Sequence, residues 1–299
     1  MLSSLFFIFL LETVQPSYVM LTSVLPEETV VAAQTSVLTL TEAAAPEKIT
    51  ESTGPVLEAH SAYAIDLKSG TPLFIKNIFS RRPIASITKL VTAMVILDNH
   101  DINEKVTVGK NPPLQEGSKM RLAEGEIITV EALLTGLLIA SANDAATALA
   151  ETDAGNEKAF ISKMNEKARH LGLKNTHFSN AKGFDEKSNY STAYDIMLFS
   201  REALNYPFIK STVSIKNTQV ASSNGKIKHA LESTNELLEN PYFKVIGLKT
   251  GRTPAAGESF VALAEIENGR QILTAVLDSP DRFKETKILI DWIVRNYKF

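Results

Sequence analysis

Lys89 is the residue whose setting most constrains the chemistry. It is the only charged residue between 83 and 97, and from Ser86 onward this stretch has helical length with no Pro or Gly. A lysine in so apolar a helix is costly to bury as a cation, so burial lowers its pKa and favours the neutral amine, a general base. Ser86 lies three residues earlier, on the same helix face. There the amine could take the hydroxyl proton and leave the oxygen a nucleophile. The helix N-terminus would favour the negative charge that develops. The competing reading is a lysine that snorkels to solvent beside an ordinary serine. The pattern recurs at Ser179/Lys182 and Ser223/Lys226, in polar stretches that read as surface.

Two further clusters carry chemistry. Ser141-Ala142-Asn143 interrupts an apolar run, 132–150, whose only charge is Asp144. Polar side chains at that depth argue against a membrane span. They fit two buried helices meeting at a point that presents a hydroxyl and an amide to a cleft, or else a helix cap. Lys249-Thr250-Gly251 ends an apolar strand beginning at Val245. A strand-borne Lys and Thr can bind a carboxylate while Gly permits close backbone approach; a simple turn is the alternative.

Regular elements must position these groups. Residues 62–67 and 72–75 flank Lys68-Ser69-Gly70-Thr71 as a hairpin. Residues 156–171, ending at Gly172, and 192–204 read as amphipathic helices. Segments 260–266 and 271–277 flank Asn268-Gly269, a strong hairpin signal. Residues 281–297 read as a closing helix. Strands at both ends around a helical block predict one α+β or mixed α/β domain over 56–299, its sheet pairing N- and C-terminal strands.

The chain has 299 residues, 44% hydrophobic and 22% charged, with no cysteine. Disulfides, thiol nucleophiles and Cys-ligated metals are excluded. Residues 1–55 carry one cation and six anions, whereas 56–299 carry 30 cations and 28 anions. That near-neutral body lacks a phosphate-binding basic patch, so nucleic acid is not an expected partner. The five histidines show no metal-ligand spacing, although His229 could line the cleft. Residues 1–25, with a ten-residue apolar core but no preceding cation, predict a signal or membrane-anchor segment. Residues 26–55 have the composition of a flexible linker.

In this order, with 55 residues from Ser86 to Ser141 and 108 from Ser141 to Lys249, the three clusters resemble those of the penicillin-recognising serine enzymes. The chain is similar to the D-alanyl-D-alanine carboxypeptidases of the low-molecular-mass penicillin-binding protein type, serine peptidase family S11. The likeness covers PIASITKL at 83–90, SANDAA at 141–146, LGLKNTHF at 171–178, GFD at 183–185, STA at 191–193, STNELL at 233–238 and GLKTG at 247–251. It implies a β-lactamase/transpeptidase-like fold, an antiparallel sheet with helices on both faces plus an all-helical subdomain. It implies Ser86 as acyl-forming nucleophile, Lys89 as its base and Ser141 as proton relay aided by Lys249. Asn143 would hold the substrate amide, and Lys249, Thr250 and Gly251 would line the site of its terminal carboxylate. The Ser86 and Arg252 N–H groups would form the oxyanion hole. The implied substrate is a peptidoglycan stem peptide and the implied inhibitors are β-lactam antibiotics. No cofactor or metal is required, and the location is the cell envelope, outside the cytoplasmic membrane.

Two positions depart from the family pattern. Ala142 stands where Gly is common, and Arg252 where an aromatic or His is common. The enzymatic alternative is a class A-like β-lactamase, which needs a deacylating Glu; none occurs between Arg169 and Asp185. The other alternative is an inactive peptidoglycan-binding homologue.

Overall fold

The computed structural model describes residues 44–299. The expected signal or anchor segment 1–25 lies outside them, as does most of the expected linker.

The elements alternate as follows. Strands β1 (Glu47–Lys48), β2 (Ser61–Asp66) and β3 (Pro72–Lys76) precede helix α1 (Lys89–Asn99). A small ribbon, β4 (Lys105–Thr107) with β5 (Ile127–Thr129), leads into α2 (Val130–Ile139) and α3 (Asn143–Ala154). Then come α4 (Glu157–His170), α5 (Ala193–Ala203), α6 (Pro207–Thr212) and a second ribbon, β6 (Asn217–Ala221) with β7 (Lys228–Glu232). Strands β8 (Lys244–Thr253), β9 (Gly257–Glu265) and β10 (Gln271–Ser279), helix α7 (Arg282–Asn296) and β11 (Tyr297–Lys298) complete the chain.

The main sheet has the order β3-β2-β10-β9-β8, and every neighbour is antiparallel. N- and C-terminal strands pair as the element order predicts. Both faces are covered, so the central strands read as continuous apolar runs rather than alternating ones. In β9, Phe260 and Ala262 pack with Phe283 of α7, while Val261 and Leu263 join the core on the helical side. The antiparallel sheet, the helices on its two faces and the separate helical block match the expected architecture.

Helix α1 is apolar all round because it is central. It packs on α2, α3, α4 and α5, and Lys89 to Ile96 are all buried. The apolar run at 132–150 is broken as expected. Helix α2 stops at Ile139, and Gly136 O accepts both Ala140 N and Ala142 N. Ser141 at the break has φ 57°.

The hairpin read at Asn268-Gly269 is present: β9 and β10 pair antiparallel across a 3-10 turn at Glu267–Gly269, with Gly269 at φ 71°. One local expectation is corrected. The folded body begins before residue 56. Strand β1 pairs with β11, Ile49 N donates to Asn296 O, and Trp292 Nε1 donates to Ser52 Oγ at 2.8 Å. The linker composition there is overridden by the closing helix, which supplies partners distant in sequence.

Candidate active site

Residues Ala85–Thr88 form a 3-10 turn, and α1 begins at Lys89. Ser86 therefore precedes the α-helix instead of heading it, which corrects the helical reading from Ser86 onward. The pair still meets, because side chains three apart eclipse in a 3-10 turn. Lys89 Nζ lies 2.9 Å from Ser86 Oγ. Ala85 enters the turn at φ 46°, a sparsely populated conformation for a residue with a Cβ.

Lys89 is fully buried and has two further partners, Asn143 Oδ1 at 2.7 Å and the Lys182 carbonyl at 2.7 Å. Both accept only. A neutral amine has two N–H groups and one lone pair. In that form the two N–H groups would satisfy the two carbonyl oxygens, and the lone pair would be left for the Ser86 hydroxyl. Burial first, then the Lys249 and Lys182 ammonium groups, hold the Lys89 pKa well below the usual lysine range; Asp144 opposes them.

Asn143 opens α3, but it is not a cap. The N-cap is Ala142, and no side chain caps this helix. The Asn143 amide bridges instead, accepting from Lys89 and donating from Nδ2 to Glu116 O at 2.6 Å. One Nδ2 hydrogen remains for a substrate carbonyl. The neighbouring Asp144 is buried, and its carboxylate accepts from the backbone N–H groups of Met120, Leu122 and Ala145. It thus holds the 117–123 loop against the helix break. Ser141 is buried beside Asn143, and its hydroxyl makes no side-chain hydrogen bond among the described residues.

Lys249 and Thr250 lie on β8, the edge of the main sheet. Lys249 is buried and donates only to Thr250 O, at 3.2 Å, among the described residues. Burial and then the Arg282 guanidinium lower its pKa to about 7. Thr250 Oγ1 is 2.5 Å from Thr234 Oγ1, and Thr234 N donates to Ile139 O. Thr234 therefore ties the strand motif to the end of α2. Gly251 must be Gly, because a Cβ there would lie 2.9 Å from Ile84 O and 3.3 Å from Ser86 N.

The Arg252 side chain is 75% exposed and faces Glu258 at 3.7 Å across the β8–β9 pair. Any contribution to an oxyanion site would come from its backbone. His229 does not line the cleft, which corrects that expectation. It is buried on β7, with Nδ1 2.8 Å from Met120 O and Nε2 2.7 Å from Glu126 Oε1. A strand side chain pointing inward meets the loop that packs on it, and sequence spacing does not reveal which side is inward.

Sequence reasoning missed three participants. Lys182, read as surface, is only 6% exposed and supplies the third partner of Lys89. Gly183, at φ 90°, lies so close under the Ser86 turn that a Cβ would overlap Ala85 O. Arg282 Nη1 donates to Gly251 O at 3.0 Å, and its buried Nε has no partner among the described residues. The GFD segment at 183–185, part of the family likeness, was the signal that could have marked Gly183 and the lysine before it. For Arg282 only the topology could, since the start of α7 lies beside the end of β8.

A family model described as D-alanyl-D-alanine carboxypeptidase matches residues 48–281. The D-alanyl-D-alanine carboxypeptidase DacF of Bacillus subtilis is 35% identical over 248 residues, covering 81% of this chain and 63% of that protein. DacD of Escherichia coli is 33% identical over 284 residues, covering 90% of this chain and 71% of that protein. The chain thus spans about two thirds of the length of these curated relatives. Among solved structures, the Streptomyces K15 DD-transpeptidase superposes with a TM-score of 0.75 at 30% identity, over 82% of this chain and 100% of that one.

Proposed function

We propose that this chain, which belongs to the D-alanyl-D-alanine carboxypeptidase family, removes the terminal D-alanine from peptidoglycan stem pentapeptides through an acyl-enzyme on Ser86. The observation that carries this reading is the Lys89 amine: buried, turned towards two carbonyl oxygens, and 2.9 Å from the Ser86 hydroxyl. Lys89 takes the Ser86 proton as Oγ attacks the carbonyl of the penultimate D-alanine. Negative charge develops on that carbonyl oxygen, to be met by the backbone N–H groups of Ser86 and Arg252. Such donors are worth about 2.7–4 kcal/mol each in a comparable setting. The proton passes through Ser141, beside Lys249, to the leaving amine. The C–N bond breaks, and D-alanine departs. Water, deprotonated by Lys89, then cleaves the ester and frees Ser86.

The substrate carboxylate fits the end of β8. Lys249, Thr250 and Arg282 converge there, and no carboxylate lies within ion-pair distance of Lys249 or Arg282 among the described residues. A bound carboxylate would supply the missing anion. Asn143 has one Nδ2 hydrogen for the substrate amide. A stem-peptide substrate puts the enzyme in the cell envelope, on the outer side of the cytoplasmic membrane, with residues 1–25 as the segment that exports or anchors it. β-Lactams would acylate the same serine.

Mass spectrometry of the protein incubated with a stem pentapeptide tests the reading. Loss of one D-alanine, abolished in Ser86→Ala, is the expected result. With labelled penicillin, a stable adduct on Ser86 supports the carboxypeptidase. Rapid turnover would indicate a β-lactamase. Absence of both labelling and D-alanine release would indicate an inactive wall-binding homologue.

A further inference from the structure

The floor beneath Lys89 is built with unusual care. Residues 180–184 run under the Ser86 turn, and their backbone is fixed from two sides. Asn180 Oδ1 accepts from the N–H groups of Lys182, Gly183 and Phe184 at 3.2, 2.6 and 2.9 Å. Thr92 Oγ1, from α1, donates to Ala181 O at 2.8 Å. At the start of α4, Glu157 accepts from Ala181 N and holds Lys182 Nζ with both carboxylate oxygens at 2.8 Å. The same ammonium lies 5.6 Å from the centre of the Phe184 ring.

This arrangement has a direction. Lys182 presents its carbonyl to Lys89 at 2.7 Å, and its ammonium is among the charges that act on Lys89. Its ammonium nitrogen turns instead to Glu157. The other charges acting on Lys89 are Lys249 and Asp144, of opposite sign to one another. Without Lys182 the balance around the amine would move towards retaining a proton.

We propose that Lys182, clamped by Glu157, is a positioning residue for Lys89: the clamp fixes the carbonyl that holds the amine. The proposal rests on the reading of Lys89 as the base for Ser86. Lys182 touches no reacting atom; it acts through Lys89.

The test is the pH profile of kcat/KM for D-alanine release, compared with penicillin labelling of Ser86. In Lys182→Gln the amide still donates to Glu157, but the cation is gone. The acidic limb, which reports loss of the Lys89 proton, should move to higher pH by on the order of half a unit to one unit. Lys182→Arg retains the cation and should keep the wild-type limb. If Lys182→Gln leaves Glu157 unpaired and fails to fold, Lys182→Gln/Glu157→Gln is measured in its place, and a limb that moves in it while Lys182→Arg keeps the wild-type limb supports the proposal. A uniform loss of rate with the limb unmoved in a folded variant overturns the proposal and leaves Lys182 a structural residue. A wild-type protein that neither labels nor releases D-alanine overturns instead the reading on which the proposal depends.

Discussion

Gly251 and Ser86 stand back to back. A Cβ on Gly251 would lie 3.3 Å from the Ser86 nitrogen, 3.0 Å from Ala85 Cβ and 2.9 Å from Ile84 O. Strand β8 and the turn carrying the proposed nucleophile are thus spaced by the absence of one methyl group. Gly251→Ala should push β8 away from the turn and separate Lys249 and Thr250 from Ser86. Penicillin acylation should fall by about 100-fold, since displacements near 1 Å have cost that much elsewhere. Circular dichroism should show the fold retained. Wild-type acylation in this variant would refute the spacing argument.

Ser141 is held at φ 57°, a left-handed conformation that costs a residue with a Cβ about 1–2 kcal/mol. Ser141→Gly removes both the strain and the hydroxyl. Thermal unfolding should shift upward while D-alanine release falls by about 100-fold or more, the scale of general acid–base help. A variant both less stable and fully active would contradict both halves of the assignment.

Lys249 carries the pH prediction. Its pKa is near 7 in the folded protein, against 10.5 ordinarily. Between those values the unfolded chain binds more protons than the native one, so this group makes stability rise with pH from about 7 towards 10. Below 7 its burial penalty is present in full. Lys249→Met should raise stability at pH 6 by about 1–4 kcal/mol, as seen when buried charges give way to packed apolar groups. It should also flatten the rise above pH 7 and abolish substrate capture. Chemical denaturation at pH 6, 8 and 10 measures this; an unchanged slope would be inconsistent with a depressed Lys249.

Asp144 holds three backbone N–H groups with one carboxylate. An amide oxygen cannot replace all three charge-assisted bonds. Asp144→Asn should therefore destabilise the protein by about 1–3 kcal/mol. It should also loosen the 117–123 loop, and hydrogen exchange at Met120 and Leu122 should accelerate. If those amides stay as protected as in the wild type, the loop is held by something else.

The parts of this molecule that announce themselves in sequence are those whose physics is local or periodic. Lys89 stood out because a charge in an apolar helix demands an explanation, and Ser141 because polar residues split an apolar run. The pairing of N- and C-terminal strands followed from strands at both ends of the folded part, while the antiparallel sense of the sheet came from the family resemblance. The 3-10 entry to α1 was hidden, since Ser86 and Lys89 meet at the same spacing in either helix type. Lys182 was hidden because its local sequence is polar, and its burial is imposed by Glu157 and by the Ser86 turn above it. His229 was misread for the reverse reason: its partners come from a loop more than 100 residues away. For such residues the environment is a property of the topology, and no window of sequence contains it.

The two-residue ribbon between Glu47–Lys48 and Tyr297–Lys298 has a mechanical consequence. Because the strands run antiparallel, the incoming and outgoing chains leave the ribbon at the same end. Tension between them peels this ribbon open like a zip, one residue pair at a time, before any load reaches the five-stranded sheet. A pull between the two ends therefore opens these pairs at the perimeter before it reaches the strands that carry the site.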